Sequence, residues 1–392
     1  MFYINKINAA GKIAVDDTIL VKDTPATAGS KMLENFKPLF SAEAVERHEK
    51  AGYEIAGKTH VGEFGLDLMG ETSHFGAATV DGNLVGAAAA LVAQGEIKAA
   101  LNVDLNGAPR RAAAVSGVDF IKPTYGTVSR YGVIACACSG EQIGVTAANA
   151  DDAAEILSVI AGHDDKDGTS LPAEKYEYTT DKDVSSMKVC ILADLYDGLD
   201  SKVKERIDAF TEELRKDGVT VDTVSLDIVS QAQTAWQILM AAETTNNLSR
   251  FDGVKYGHRA AEYKNIDELY VKSRSEAMGF LTKATIIYGS DVLAKSKYEI
   301  CYDKSLRIRR IVCDKVRELL KSYDAILTPA CSKVEYKPYD VLDAFEKVYE
   351  ESLYTAIPSI TGMPAMVTKG VQLIADSFNE SVLLSIAKSV EV

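Results

Sequence analysis

The stretch NVDLNGAPRRAAAVSGVDFIKPTYG, Asn102–Gly126, sets the terms for the whole chain. Asp104 precedes a tight glycine turn at Gly107. Arg110 follows, then a run of small residues, then a lysine–proline strand start. This is the outline of a catalytic segment, in which a glycine turn presents a nucleophile at its tip. The slot straight after Gly107 holds Ala108, so the segment has the outline of such a turn without the attacking atom.

Outward from this stretch, strand-like and helix-like segments alternate. DDTILVKD (16–23) and AGYEIAGKT (51–59) have the pattern of short buried strands bounded by turn residues. Between them SAEAVERHEKAG predicts a helix, with Ser41 as its cap, Glu43 and Glu46 in its first turn and Gly52 as its stop. LVGAAAALVAQGE predicts a helix whose small residues let another element approach closely, and ADDAAEILSVIAGHD an amphipathic helix entered at Ala150 and left at Gly162. SMKVCILADL and SYDAILTPA are apolar runs of strand length, as in central strands covered on both faces. SKVKERIDAFTEELRKDG and KSLRIRRIVCDKVRELLKSYD are long helices of period near 3.6. The polar segment 174–186 is expected to be a connection. Such alternation predicts an α/β fold around a mixed or parallel sheet. With no repeat and no proline-rich linker, one domain over residues 1–392 is expected.

The bulk numbers exclude several function classes. The 43 Lys and Arg against 57 Asp and Glu give a formal net charge of −14. A protein that grips nucleic acid does so through cations on phosphates, so no direct nucleic-acid partner is expected. RIRRIVCDKVR is expected to be one solvated helix face. The six cysteines form no C-x-x-C pair and no dense framework, and the five histidines have no metal-ligand spacing. Reduced thiols, no metal and no cofactor are the expectation. No segment is apolar enough for a signal peptide or membrane span, so a cytoplasmic protein is expected.

Several long stretches resemble one family: SKMLENFKPLFSAEAVERHEKAGYEIAGKTHVGEFGLD (30–67), GVDFIKPTYGTVSRYGVIA (117–135), EQIGVTA, AGHDDKDGTS, YDAILTPA and GVQLIADSFNESVLLSIAKS (370–389). These resemble the amidase-signature family. Within it they are most similar to the subunits of tRNA-dependent amidotransferases that release ammonia from glutamine. The resemblance implies an amidase-signature fold, a large mixed β-sheet covered by helices on both faces. It also implies a Ser–Ser–Lys arrangement: a neutral lysine acts as base through a bridging serine held next to a cis peptide, a second serine attacks the amide carbon, and backbone N–H groups of the glycine turn stabilise the oxyanion. Ammonia then passes to a partner protein.

Carried over residue by residue, the resemblance puts the base at Lys22 in ILVKD and the nucleophile slot of DLNGAPR at Ala108. Asp104, Gly107 and Arg110 match the family; with Leu105 and Asn106 they form the candidate binding turn. Counting back the family's interval from Ala108 lands on Leu84 in DGNLVGAAAA. Gly82 and Gly86 match there, while Leu84 and Val85 replace both serines of that run. The substrate-charge partners of glutamine-using relatives fall at Ala284 or Thr285 and at Ser352. Alanine offers no lone pair to a carbonyl carbon, and leucine relays no proton. A pseudo-amidase with a binding or scaffold role is therefore expected, with an active amidase or amidotransferase component using another nucleophile, Cys138 or Cys136, as the alternative. If buried beside Leu84 and Ala108, Lys22 should lose its charge or pair with Asp23 or Asp104; otherwise it ends a strand as a salt bridge. Thr124 and Ser129 are expected to be structural. The family carries further helices before its base lysine. Their absence here predicts uncovered apolar surface, met by a second copy of the chain or by amidotransferase-type partner subunits.

Overall fold

The structure, a computed structural model, describes residues 2–172 and 176–390. The start of the expected connection, Glu174 and Lys175, lies outside the described residues. Thirteen strands are described: β1 (Tyr3–Lys6), β2 (Ile13–Asp16), β3 (Ile55–Thr59), the hairpin β4 (Thr79–Val80) and β5 (Asn83–Leu84), β6 (Ala99–Asp104), β7 (Asp119–Lys122), β8 (Gln142–Ala147), β9 (Lys188–Leu192), β10 (Thr220–Val224), β11 (Ala325–Pro329), β12 (Ala365–Thr368) and β13 (Val371–Ile374). All but the hairpin join one sheet in the order β1-β3-β2-β6-β8-β7-β12-β13-β11-β9-β10. Parallel pairs (β2 with β3 and β6, β9 with β10 and β11) flank an antiparallel centre. The sheet is mixed and draws strands from both halves of the chain.

The central strands are apolar because both faces are covered; β8, β11, β12 and β13 are buried throughout. The helices are α1 (Glu43–Lys50), α2 (Ala87–Ala93), α3 (Ala108–Ser116), α4 (Ala150–Ile160), α5 (Ser201–Lys216), α6 (Val229–Leu248), α7 (Ile266–Ala277), α8 (Phe280–Val292), α9 (Lys304–Leu320), α10 (Ala344–Ser352), α11 (Ala356–Thr361) and α12 (Glu380–Ser389). The alanines of α2 let it lie close to both β6 and α3. A Cβ added at Gly86, just before α2, would come within 2.3 Å of the Ala112 methyl on α3. The longest helix, α6, packs against α8, α9 and α11 and seats Trp236 in the core. Gly140 admits that indole: a Cβ there would sit 2.0 Å from the ring.

Two local expectations are corrected. The strand expected over 16–23 is instead β2, which ends at Asp16. The chain leaves the sheet there because Asp17 turns inward to a buried ion pair with Lys58, 3.2 Å away, and accepts the Thr27 N–H at 2.8 Å. Ser41 does not cap α1. The N-cap is Ala42, without a side-chain bond, and the Ser41 hydroxyl accepts the Lys22 N–H at 3.0 Å. At α4 the cap is Asn149, whose side chain accepts the Asp152 N–H at 2.8 Å. The basic run in α9 is a solvated face, with Arg310 paired to Asp314 and Lys315 to Asp227.

Candidate functional site

β6 delivers Asp104 to the turn Leu105-Asn106-Gly107, and α3 starts at Ala108 with Pro109 in its first turn. Gly107 adopts φ +84°, and a Cβ there would meet Thr355 at 2.4 Å. Only glycine suits both demands. Its N–H donates to Asp104 Oδ1 at 3.1 Å. Asp104 pairs with Arg110 through Nε at 2.6 Å and Nη2 at 3.1 Å, both side chains being fully buried. The remaining Arg110 donors reach the Thr355 carbonyl at 3.0 Å, Gln372 Oε1 at 2.8 Å and Ser359 Oγ at 2.8 Å. All five N–H groups are occupied. Arg110 and Asp104 therefore shape the turn and offer nothing to a ligand. Asn106 is engaged on one side only: its Oδ1 accepts from Trp236 Nε1 at 3.0 Å and Gln237 Nε2 at 3.2 Å, while its buried Nδ2 meets no hydrogen-bond partner among the described residues.

Leu105 and Ala108 line a cavity of about 50 Å³. A water molecule needs roughly 10–15 Å³ on this measure, so the space suits a few waters, whereas small-molecule pockets run to roughly 300 Å³ or more. Its polar groups come from several elements: Asp16 at the end of β2, Thr18, His60, Asp67, Glu141 and Thr146. Burial raises the Asp16 carboxyl to about 7, against hydrogen bonds from Val103 N–H at 2.8 Å, Asn102 Nδ2 at 2.7 Å and the Thr59 hydroxyl at 3.2 Å. Burial also raises Asp67, helped by the Glu71 charge, and raises Glu141, where the Arg130 cation opposes it. His60 is pushed down by burial. Thr146 donates to Asn102 Oδ1 at 2.7 Å, while the buried Thr18 hydroxyl meets no hydrogen-bond partner among the described residues.

The other sequence-derived candidates lie elsewhere. Lys22 is exposed on the turn after β2, outside this cavity, and makes no ion pair with Asp23 or Asp104. This corrects the expectation of a lysine buried beside Leu84 and Ala108, and the physical reason is that β2 ends six residues before Lys22 rather than reaching it. Leu84 is buried in the β4–β5 hairpin, where its N–H meets the Tyr336 carbonyl at 2.7 Å, and it does not line the cavity. Cys136 and Cys138 do not line it either. Cys136 packs near Thr244, with its Sγ 3.4 Å from that hydroxyl, and burial pushes its thiol upward, away from thiolate. Cys138 Sγ lies 3.5 Å from Asn247 Nδ2. Thr285 bonds back to the Leu281 carbonyl, Ala284 faces a surface hollow beside Phe345, and Ser352 donates to the Tyr349 carbonyl. Thr124 and Ser129 hold loops through Glu380 and Asp164.

Sequence reasoning missed Asp16, His60 and Asp67. The signal for the first was present: two aspartates directly after the apolar strand IAV place charge where the strand's buried face continues.

The amidase family model matches residues 12–384. The chain belongs to the amidase family. The A subunit of glutamyl-tRNA(Gln) amidotransferase from Agathobacter rectalis is 39% identical over 399 residues, covering 97% of this chain and 79% of that protein. Its counterpart of the same name from Thiobacillus denitrificans is 37% identical over 395 residues, covering 96% of this chain and 81% of that one. Among solved structures, the glutamyl-tRNA(Gln) amidotransferase A subunit of Thermotoga maritima superposes with a TM-score of 0.83 at 26% identity, over 100% of this chain and 87% of its own. This amidase-family chain thus has the mixed α/β architecture of its solved relatives. No described helix is long and apolar enough to cross a membrane, and no described group of three or more His, Cys, Asp or Glu side chains could hold a metal ion.

Proposed function

We propose that this amidase-family protein is a pseudo-amidase with a binding or scaffold role, one that does not hydrolyse amides. The observation that carries the reading is Ala108, a methyl group at the tip of the glycine turn, facing a cavity of about 50 Å³. No acyl-enzyme forms on a methyl carbon. Three further features support it. The strand that runs to the cavity, β2, ends at Asp16, so a carboxylate lines that space, while Lys22, where the resemblance puts the base, stands exposed outside it. Leu84 is turned into the β4–β5 hairpin. The remaining hydroxyls are poor substitutes: Thr146 is spent on Asn102, and Thr18 has no base within hydrogen-bond reach among the described residues, which an activated nucleophile requires. Pre-organised turn dipoles without a nucleophile leave only a small fraction of normal catalysis.

The test is ammonia release from glutamine, asparagine and simple amides by purified protein, read by a coupled enzymatic assay, together with labelling by a fluorophosphonate probe. Neither is expected above the buffer background. Turnover lost on Thr18→Val or Cys138→Ala substitution would overturn the reading.

A second reading rests on the names of the relatives, which mark them as components of a multi-protein amidotransferase. On that reading the chain is one domain that docks onto amidotransferase-type partner subunits or a second copy of itself. Retention on an immobilised tRNA-binding component of an amidotransferase would separate it from a free-standing binding protein.

A further inference from the structure

A much larger cleft lies beside the small cavity. Its volume is about 1050 Å³, and it is lined by the 32–36 turn, the C-terminal end of α6 and the 250–259 loop. Ile134 lines both spaces. Phe251 of the cleft stacks on Phe64 of the cavity with ring centroids 5.7 Å apart, so the two are neighbours divided by an apolar wall.

The cleft's charge differs from that of the molecule. In a chain of net charge −14, Arg250, Lys255 and Arg259 all line it, and none of the three side chains forms an ion pair among the described residues. Arg250 spends Nε and Nη2 on Asn247, at 2.9 and 3.1 Å, leaving Nη1 without a protein acceptor among the described residues. Arg259 donates Nη2 to the Tyr263 hydroxyl at 2.7 Å and lies over that ring. The one acid lining the cleft, Glu34, is 3.8 Å from His258, which is held more closely by Glu276 at 3.0 Å. The walls supply Leu20, Leu33, Phe36, Val133 and Tyr256. The loop is fixed rather than loose: His258 N–H donates to the Met32 carbonyl at 2.8 Å, and a Cβ at Gly257 would meet Met32 Sδ at 2.4 Å. Arg274 ties down its start through the Leu248 and Phe251 carbonyls, at 3.0 Å each.

We infer that this cleft binds an organic anion: a carboxylate or phosphate carried on an aromatic or hydrocarbon body. Cations free of ion pairs among the described residues take the charged end, and the aromatic and aliphatic wall takes the body. The inference stands whether or not the protein hydrolyses amides, because none of these residues belongs to the Ala108 cavity's polar set.

The test uses three probes in calorimetry at low salt: naphthalene-2-carboxylate, naphthalene-2-carboxamide and inorganic phosphate. The carboxylate is expected to bind at least about tenfold more tightly than either of the others. The surface double variant K255E/R259E should lose at least about tenfold of that affinity. K295E/K321E, with the same change in net charge elsewhere, should bind as the parent does, and circular dichroism melts should show both variants folded. Equal affinity for carboxylate and carboxamide, phosphate binding as tight as the naphthoate, an unchanged K255E/R259E variant, or no binding of the carboxylate would each overturn the inference.

Discussion

At the scale of single residues, Ala108 and Asp16 define what the cavity can do. Restoring the hydroxyl alone should not restore chemistry. Ala108→Ser is expected to release no ammonia from glutamine above background, because Lys22 lies outside the cavity and the leucine at 84 relays no proton to activate the new hydroxyl. Asp16 gives a prediction with a defined pH sign. Its carboxyl is raised from 3.8 to about 7, so the folded state holds a proton the unfolded chain has lost, and stability falls as pH rises from about 4 through 7. Asp16→Asn removes that cost. The carboxamide can be accommodated if Asn102 flips and the Thr146 hydroxyl accepts its amide. The upper bound of the gain is on the order of 4 kcal/mol. A gain of about 1–3 kcal/mol is expected at pH 8, vanishing near pH 4, in urea unfolding at the two pH values; an amide accepts fewer hydrogen bonds than a carboxylate, which trims the gain. Arg110→Ala should do the opposite. It leaves Asp104 buried without its cation and should cost about 3–5 kcal/mol by the same measurement.

At the scale of elements, small residues set how closely helices approach. Gly140→Ala would drive a methyl into the Trp236 indole and push α6 off its seat. The expected cost is about 1–3 kcal/mol in urea unfolding, with altered tryptophan fluorescence from the chain's single Trp. Helix α1 carries its own pH dependence. His48 is fully buried, its Nδ1 3.2 Å from the Ala44 carbonyl, and burial pushes it down to about 4. A depressed histidine costs stability as pH falls from about 6.5 toward 4, because the unfolded chain takes up the proton first. His48→Leu should flatten that acid slope in thermal melts taken across this range.

At the scale of the molecule, eleven strands share one sheet while the net charge stays at −14. The purified chain is expected not to shift tRNA in a gel at about 150 mM salt, since counterion release on phosphate binding needs a cationic face. The three cations of the large cleft, none ion-paired among the described residues, are too few for that role and fit a small anion instead.

The alternation of strand and helix along the stretches read, the apolar character of β9 and β11, the solvated face of α9 and the alanine at the tip of the glycine turn were legible in the chain, because each depends on local periodicity or on the identity of one residue. The amidase family followed from long matching stretches. What the sequence left open was adjacency. Lys22 and Asp16 both sit near the end of an apolar run, and only the place where β2 stops decides which one reaches the cavity. Leu84 and Ala108 were paired by counting along the chain, yet the β4–β5 hairpin carries Leu84 off toward Tyr336. Cys138 lay in a segment expected near the site, but it packs against Asn247. The convergence of His60, Asp67 and Asp16 on one cavity, and of Arg250, Lys255 and Arg259 on another, came only from the tertiary structure. Residues distant along a chain become neighbours through sheet order and turn geometry, and those are settled by packing the whole core at once.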